Sequence, residues 1–333
     1  MAALSVTNPT LLDLAQASDP SGKIGDIVEI LNQTNEILDD MVWLEGNLVT
    51  GHRTTIRTGL PTPTWRKMYG GVQPTKSTTA QVTDNTGMLE AYAEVDKALA
   101  DLNGNTAAWR LSEETPHIEG MSQEIAQTIF YGNEGTEPEA FTGLTPRFNN
   151  LSTSNNADNV IDGGGSGTDN ASIWLCVWGP NSGFGITPKG SKAGLQMEDK
   201  GQVTIESIDG AGGRMEAYRT HYRWDAGLTI RDWRYFVRIA NIDRSALTVD
   251  AATGANLPNL MFEAQQRLPN MNGRAVWYMD RGLTTKLGQQ SALLTKNSSL
   301  QIENVGGRIT TTWLGIPIRR VDILSPDESL VPA

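Results

Sequence analysis

The side chains best suited to acid–base or metal chemistry are few and scattered. His52, His117 and His221 are the three histidines, and Cys176 is the one cysteine. A structural zinc site needs Cys and His ligands at short, regular spacings. None of the histidines has a second His or Cys at such a spacing, so the sequence predicts no metal site.

The thiol and the paired acids also favour structural roles. Cys176 lies within the apolar run Ile173–Trp178, which is typical of a small core residue rather than a nucleophile. Adjacent acids such as Glu113 and Glu114 are typical of a solvated helix face. A hydrolase whose two carboxylates lie far apart in the sequence stays open as an alternative, because such pairs meet only in the fold.

The glycine-rich tract Gly163–Thr168 invites comparison with a phosphate-binding loop. It has neither the lysine nor the preceding apolar strand that this motif requires. The sequence also contains no nucleophile elbow, metalloprotease motif or dinucleotide fingerprint. We therefore expect no catalytic residue and no cofactor.

Composition indicates an acidic chain with enough apolar residues for a sizeable core. It has 333 residues, 38% of them hydrophobic, and a formal net charge of -11. Such a chain repels phosphate backbones, which disfavours a dedicated duplex-DNA binder unless its basic residues are segregated. The N-terminus lacks the layout of a signal peptide, and no apolar stretch approaches membrane-spanning length. We expect a soluble protein made in a reducing cytoplasm.

Two helices are predicted near the N-terminus. Asn8 followed by Pro9 favours a helix start, with the helix ending near Ala17. A stronger helix is predicted over Ile24–Val42, where one apolar stripe recurs at helical spacing. The segment Ile24–Glu45 also carries six acidic residues and no basic one.

A basic, threonine-rich segment, residues 51–87 and here called the arm, follows this acidic one. It holds ten threonines, five basic residues and one acid, a local net charge of +4. His52–Thr58 and Ser77–Thr83 are rich in β-branched residues and are predicted to be strands. Neither has a convincing apolar face, and a two-stranded ribbon that is polar on both sides does not stabilise itself in water.

Three interpretations of the arm stay open. It is a solvated irregular loop, or it docks on another copy of the chain, or it binds nucleic acid. In the last case the basic residues would contact phosphates and Trp65 and Tyr69 would stack on bases. The overall negative charge argues against the nucleic-acid interpretation.

A long helix is predicted after the arm. Ile118, Met121, Ile125 and Ile129 form a helical stripe that ends near Gly132, and Thr106–Glu114 extends the same helix across a proline. Leu89–Leu102 fits a strand or a helix equally well. Residues 133–171 show no convincing periodicity.

The second half of the chain is predicted to be mostly β. Residues 218–224 and 233–239 alternate with period two, which indicates two half-buried strands of an antiparallel sheet with arginines on the exposed faces. Those arginines either line an interior surface or pair with nearby acids, and the second account is the simpler. Leu257–Arg267 is predicted to be helical and Arg274–Met279 a buried strand. Gly306-Gly307 indicates a hairpin between Leu300–Val305 and Arg308–Trp313.

Taken in order along most of the chain, several segments resemble the major capsid proteins of epsilon-fifteen-like short-tailed phages, which have the Hong Kong 97 fold. These segments are Ile27–Arg57, Gly59–Pro61, Lys76–Val82, Asn103–Ser112, Phe130–Asn133, Phe141–Arg147, Trp178–Leu195 and Asp232–Asp243. The closing Gly315–Ile318 also resembles a step near the end of many capsid proteins with this fold.

The resemblance implies an α+β fold with four parts. They are an N-terminal arm with helices (1–45), an extended E-loop (46–89), a peripheral domain (90–140, 207–256 and 312–333) and an axial domain (141–206 and 257–311). The peripheral domain is expected to hold a long spine helix at about Asn105–Tyr131. No lysine–asparagine–glutamate set for chemical crosslinking is matched.

The resemblance also implies a structural, non-enzymatic role in the virion. Subunits are expected to form pentamers and hexamers of an icosahedral head that encloses double-stranded DNA without binding it specifically. Portal, scaffolding and cement proteins are the expected partners, with no membrane. Two alternatives are an encapsulin-like compartment shell and a virion-associated carbohydrate hydrolase or binding module.

The charge pattern suggests where subunits meet. We expect the cationic arm to lie over an acidic surface of a neighbour, either Ile24–Glu45 or the spine helix. The residues predicted to make intersubunit contacts are Arg53, Arg57, Trp65, Arg66, Lys67, Lys76, Glu113, Glu114, Glu119 and Glu124.

Overall fold

A computed structural model describes residues 9, 13, 14, 17, 35–104, 106–152, 154–206, 212–293, 300–305, 308–324 and 327–332. Within these residues the helices are α1 (Ile37–Asp40), α2 (Lys97–Ala100), α3 (Thr106–Tyr131), α4 (Leu257–Arg267) and α5 (Arg281–Leu293). The strands are β1 (Trp43–Glu45), β2 (Gly51–Gly59), β3 (Thr78–Asp96), β4 (Val160–Asp162), β5 (Asn170–Trp178), β6 (Gly183–Thr187), β7 (Gln196–Glu206), β8 (Arg214–Ile230), β9 (Phe236–Asp243), β10 (Arg274–Met279), β11 (Leu300–Val305), β12 (Arg308–Trp313) and β13 (Ile316–Arg320).

Thirteen strands in the described part of the chain form one mixed sheet. Its main path runs β11-β12-β13-β10-β5-β6-β8-β3-β2, and β1, β4, β7 and β9 attach beside this path. Strand β8 is antiparallel to β3 over eleven residue pairs, from Thr86 opposite Gly227 to Asp96 opposite Ala217. The long strand β3 thus belongs to the body of the protein at one end and to the arm at the other.

Strand β5 is buried along its whole length. It lies between two apolar cores, one on each of its faces. Trp174, Cys176 and Trp178 pack in one core with the C-terminal half of α3. Ile173 and Leu175 point to the opposite face, where α4 and α5 cover the sheet. A strand covered on both faces has the near-continuous apolar sequence that the run Ile173–Trp178 shows.

Helix α3 confirms the predicted long helix almost to the residue. It has 26 residues and contains Pro116, which lacks the N–H that would bond back to the preceding turn. Its buried face includes Met121, Ile125 and Ile129 as predicted. Ile118, predicted for the same stripe, is instead 41% exposed.

The predicted helix over Ile24–Val42 is wrong at its C-terminal end. Residues 24–34 lie outside the described residues, and the helix that follows ends at Asp40. Met41 is already extended, and Trp43–Glu45 pairs in parallel with β6. The sheet contact ends the helix here, although helical spacing continues to Val42. The predicted helix near Ala17 lies mostly outside the described residues, of which 13, 14 and 17 are helical.

The predictions for the β-rich half are largely confirmed. Helix α4, strand β10 and the strands β11 and β12 have the predicted bounds, and Val305 pairs with Arg308. The ambiguous segment Leu89–Leu102 is strand to Asp96 and then the short helix α2.

The predicted exposure of arginines is right for β8 and wrong for β9. In β8, Thr220 and Tyr222 are buried while Arg219 and Arg223 are partly exposed. Residues 233–235 form a turn of 3₁₀ helix, and Arg238 in β9 is only 2% exposed. Strands β8 and β9 share the sheet but are not neighbours, since β9 pairs with β4 and β5. Strand β9 is therefore buried on both faces, and its alternation does not mark a solvent face.

Candidate assembly surface

The base of the arm is joined to the body by a partly buried ion pair. Strands β2 and β3 pair from Gly51 opposite Asn85 to Gly59 opposite Thr78. The Arg147 Nη1 atom lies 2.8 Å from Asp84 Oδ1, and that aspartate is 5% exposed. The same guanidinium donates to the carbonyls of Thr142, Gly143 and Leu228. Arg147 thereby joins the arm, the loop after α3 and strand β8.

Beyond this base the arm leaves the body of its own chain. The Trp65 and Tyr69 side chains are 102% and 103% exposed, and Met68 is 92% exposed. Leu60 is 77% exposed. Large apolar side chains that cluster in solvent usually mark an interaction site.

The end of the arm nevertheless has a defined turn. Gly70 N donates to Lys67 O at 3.0 Å, and Arg66 Nε donates to Gly70 O at 3.0 Å. Tyr69 has a φ of +64°, a left-handed conformation that costs an L-residue about 1–2 kcal/mol. The turn thus holds an exposed tyrosine where a glycine would be less strained.

The predicted contact residues fall on two separate surfaces of one copy. Among the described residues, no acid forms an ion pair with the five cations of the arm: Arg53, Arg57, Arg66, Lys67 and Lys76. Arg53 Nε instead donates to Thr83 Oγ1 at 3.2 Å. The structure therefore does not bring the arm cations and the helix acids together within one copy.

The four predicted helix acids differ in environment. Glu114 lies 3.2 Å from Arg110 and accepts a hydrogen bond from Thr220, so it is engaged inside its own chain. Burial, and then the nearby Asp13 carboxylate, raise the pKa of Glu113 above its ordinary value. Glu119 accepts a bond from Gln123, and Glu124 is exposed beside a groove. The acidic surface of α3 therefore lies mainly in its C-terminal half.

That groove, between α3 and the β3 residues Gly87–Leu89, was not predicted. It has a volume of about 240 Å³. Its apolar lining includes Met88, Leu89, Ile125 and Phe141, and its acids are Glu124, Glu137 and Glu139. Gly87 permits the close approach that closes one end, because a Cβ there would lie 2.9 Å from Glu139 O. In the sequence, the acid-rich stretch Glu134–Glu139 was the one feature that pointed to the acids around this groove.

The surroundings of His52, His221 and Cys176 indicate structural roles for these residues. His52 meets the Phe184 ring edge-on at 5.5 Å between centroids, and His221 stacks on Tyr92 at 4.5 Å. Burial raises the pKa of the Cys176 thiol well above its ordinary value, so it stays protonated. Within the described residues, no three His, Cys, Asp or Glu side chains converge on a point that would hold a metal ion.

The arginines of the sheet pair with acids of the same chain. Arg219 Nε lies 2.6 Å from Glu94, and Arg223 Nε lies 2.9 Å from Asp225. Arg234 Nη2 lies 2.7 Å from its near neighbour Asp232. Because these charges are neutralised locally, the pairing account of the sheet arginines is the one that the geometry supports.

Comparison with known proteins identifies the kind of molecule that carries these surfaces. The family described as major capsid protein GP7 matches residues 19–332. The chain belongs to this capsid protein family. A chain of bacteriophage epsilon15, solved by cryo-electron microscopy, is 42% identical with a TM-score of 0.78, and the match covers 99% of this chain and 100% of that one.

Two weaker likenesses involve a bacteriophage JBD30 capsid and an encapsulin complex from Synechococcus elongatus. The JBD30 chain is 10% identical with a TM-score of 0.48, covering 97% of each chain. The encapsulin chain is 8% identical with a TM-score of 0.41, covering 72% of this chain and 92% of that one. No curated protein matches the sequence.

This capsid protein is a structural subunit of a tailed-phage virion with a fold of the Hong Kong 97 type, and it self-associates into a capsid. It is not an enzyme. The compartment-shell and carbohydrate-module alternatives find no support in a family match that spans nearly the whole chain. None of the helices in the described ranges is long and apolar enough to cross a membrane.

Proposed function

We propose that the chain builds pentamers and hexamers of an icosahedral head that closes around double-stranded DNA. The DNA would be confined rather than specifically bound, because the subunit carries a net charge of -11 and repels phosphates. Portal, scaffolding and cement proteins are its further proposed partners, and synthesis takes place in the cytoplasm of the host bacterium.

We propose the division of the subunit into domains that the resemblance implies. Residues 46–89 form the E-loop, residues 90–140, 207–256 and 312–333 the peripheral domain, and residues 141–206 and 257–311 the axial domain. In support, β3 pairs with the arm strand β2 at one end and with β8 at the other. Strand β3 thus joins the proposed E-loop to the central sheet.

The central mechanism is docking of the arm on a neighbouring copy. The observation that carries it is the exposure of Trp65, Met68 and Tyr69 on an arm whose base is joined to the body by the Arg147–Asp84 ion pair. Arg53, Arg57, Arg66, Lys67 and Lys76 would face acids of the neighbour, with Glu119 and Glu124 the better placed of the four predicted helix acids. Exposed ion pairs contribute about 0.2–1 kcal/mol each, so they set the register of docking more than its strength.

Reversing three arm charges tests this mechanism. The variant R53E/R57E/R66E should give folded monomers that fail to form closed shells, as seen by negative-stain microscopy and sedimentation. A matched variant, K189E/K192E/R214E, changes the net charge equally but alters exposed cations outside the arm, and it should form more shells. Normal shells from the arm variant would refute the pairing.

A further inference from the structure

Residues 327–332, here called the strap, contact the rest of the subunit in the way that a bound peptide contacts its receptor. A single antiparallel bridge joins Glu328 to Asn170, the first residue of β5. Glu328 and Val331 are buried, whereas Leu330 between them is 52% exposed. Extended peptides are recognised in this manner, by hydrogen bonds to the main chain and by pockets for selected side chains.

The first pocket of the strap binds the Glu328 carboxylate. Arg238 Nη2 lies 2.8 Å from Glu328 Oε2, and Tyr131 donates to Oε1 at 2.6 Å. Ser172 Oγ also donates to this carboxylate. The guanidinium is oriented by the body of the protein, because its Nη1 donates to Phe148 O at 2.8 Å and its Nε to Ser172 Oγ at 3.0 Å. Its Nη2 is thereby directed at the strap.

The second contact point of the strap is the backbone of Val331. Asn241 Oδ1 accepts a hydrogen bond from Val331 N at 2.8 Å, and Asn241 Nδ2 donates to Val331 O at 3.1 Å. An amide side chain has both a donor and an acceptor, so it pairs with both polar groups of one residue. Asn241 Nδ2 is also held by Asp162 at 3.0 Å. Groups positioned in advance lower the entropic cost of binding.

Four side chains thus form one receptor surface, here called the strap site. They are Tyr131, Ser172, Arg238 and Asn241, from α3, β5 and β9. A cleft of about 770 Å³ lies between the strap and the end of α3. This open space borders the strap on one side and gives it a route away from the site.

We propose that the strap site is a recognition site for extended peptides that carry a glutamate and, three positions later, a buried apolar residue. The strap fills this site in cis. The strap of a second copy fits it equally well in trans, because the contacts are made by the strap itself. The inference does not depend on the proposed docking of the arm, since the side chains of the site come from α3, β5 and β9.

The geometry sets the specificity of the site. Glu328 receives hydrogen bonds from three side chains, and one of them is the buried cation Arg238. A glutamine in its place would remove the charge that balances this guanidinium. Ser329 and Leu330 are exposed, so substitutions at these two positions leave the recognised groups unchanged.

Peptide exchange in a cut subunit tests the inference with the complete chain present. A protease recognition sequence is inserted between Ser325 and Pro326, and the folded, unassembled subunit is cut there. The strap fragment should stay bound during size-exclusion chromatography. A fluorescent peptide of residues 326–333 should then replace it, with a rise in anisotropy that excess unlabelled peptide reverses. The uncut subunit should take up far less peptide, because its tethered strap has a high effective concentration.

Peptide variants decide whether this binding has the expected specificity. E328Q and V331D peptides should bind at least about tenfold more weakly than the natural sequence, because each leaves a buried group without its partner or buries a charge. S329A and L330A peptides should bind within about threefold of it. Release of the strap fragment without uptake of the fluorescent peptide would overturn the inference. Equal affinities of the E328Q and L330A peptides would do so as well.

A variant of the site itself gives an independent check. Asn241 has a φ of +55°, which glycine adopts without strain, so N241G removes the amide and leaves the backbone conformation available. The cut N241G subunit should bind the natural peptide at least about tenfold more weakly. The control N270G alters an exposed asparagine outside the site and should leave the affinity unchanged. Equal affinities of the two cut subunits would contradict recognition by Asn241.

Discussion

Arg238 Nη2 lies 2.8 Å from Glu328 Oε2, and both side chains are buried between the central sheet and the end of α3. The guanidinium also donates to Ser172 Oγ and to Phe148 O, and Tyr131 donates to Glu328 Oε1 at 2.6 Å. This network fastens the last residues of the chain to strands β5 and β9. It is the most fully satisfied buried charge pair in the described part of the protein.

Removing one partner of this pair should destabilise the subunit strongly. In E328A the Arg238 charge stays buried without its carboxylate, which typically costs about 3–5 kcal/mol. Denaturant unfolding of the unassembled subunit measures the loss. The control K200A breaks the exposed Lys200–Glu198 pair and should change the free energy of unfolding by less than about 1 kcal/mol. An E328A loss as small as that of K200A would contradict a structural role for the pair.

Acid should loosen the base of the arm through His52. Burial, and then repulsion by Arg231, hold the pKa of His52 below its ordinary value, while Asp84 opposes the shift. The folded protein therefore binds a proton at His52 less readily than the unfolded chain does. Stability from this group is complete above the unfolded pKa of about 6.5 and is lost as pH falls from there toward the folded pKa.

The variant H52Q measures that contribution because glutamine does not titrate. Unfolding free energies of the wild type should fall more steeply than those of H52Q between about pH 6.5 and 5. The neighbouring charged residues Arg147, Asp84 and Arg231 are the same in both proteins. Parallel pH profiles for the two proteins would show that His52 does not sense acid.

The packing of strand β1 on β6 depends on the absence of a side chain at Gly185. A Cβ at Gly185 would lie 2.6 Å from the Trp43 ring, whereas a Cβ at Gly288 in α5 would meet nothing within 4 Å. We expect G185A to destabilise the subunit by about 1–3 kcal/mol through overpacking. We expect G288A to stabilise it by about 0.5–1 kcal/mol, since alanine suits a helix interior better. Thermal unfolding distinguishes the two, and equal effects would contradict the packing of Trp43 on β6.

The sequence predicts elements well where local periodicity and burial agree. Helix α3 shows this, because Met121, Ile125 and Ile129 lie at helical spacing and all three are buried. Strand β10 and helix α4 have clear bounds for the same reason. Helix α5 was missed because Leu283 and Leu287 give only a short stripe. The next buried residue on this face of α5 is polar. Gln290 accepts a hydrogen bond from Leu257 N and donates one to Ala255 O.

Errors arise where distant residues decide the outcome. Alternation in β9 suggested that Arg238 faces solvent, but Glu328, ninety residues away, neutralises it inside the core. Helical spacing predicted burial of Ile118, yet its neighbour His117 is the residue that stacks on Tyr222 of β8, and Ile118 is 41% exposed. The groove acids Glu137 and Glu139 come to α3 through the fold of a loop without periodicity. Local sequence patterns do not predict contacts between residues that are far apart in the chain.

The most direct test of the account is a cryo-electron microscopy reconstruction of the assembled shell that resolves residues 60–76. The account predicts that Trp65 and Tyr69 lie in contact with another copy of the chain, in every pentamer and hexamer. An arm that is folded back on its own subunit, or that projects into solvent without touching a neighbour, would contradict it.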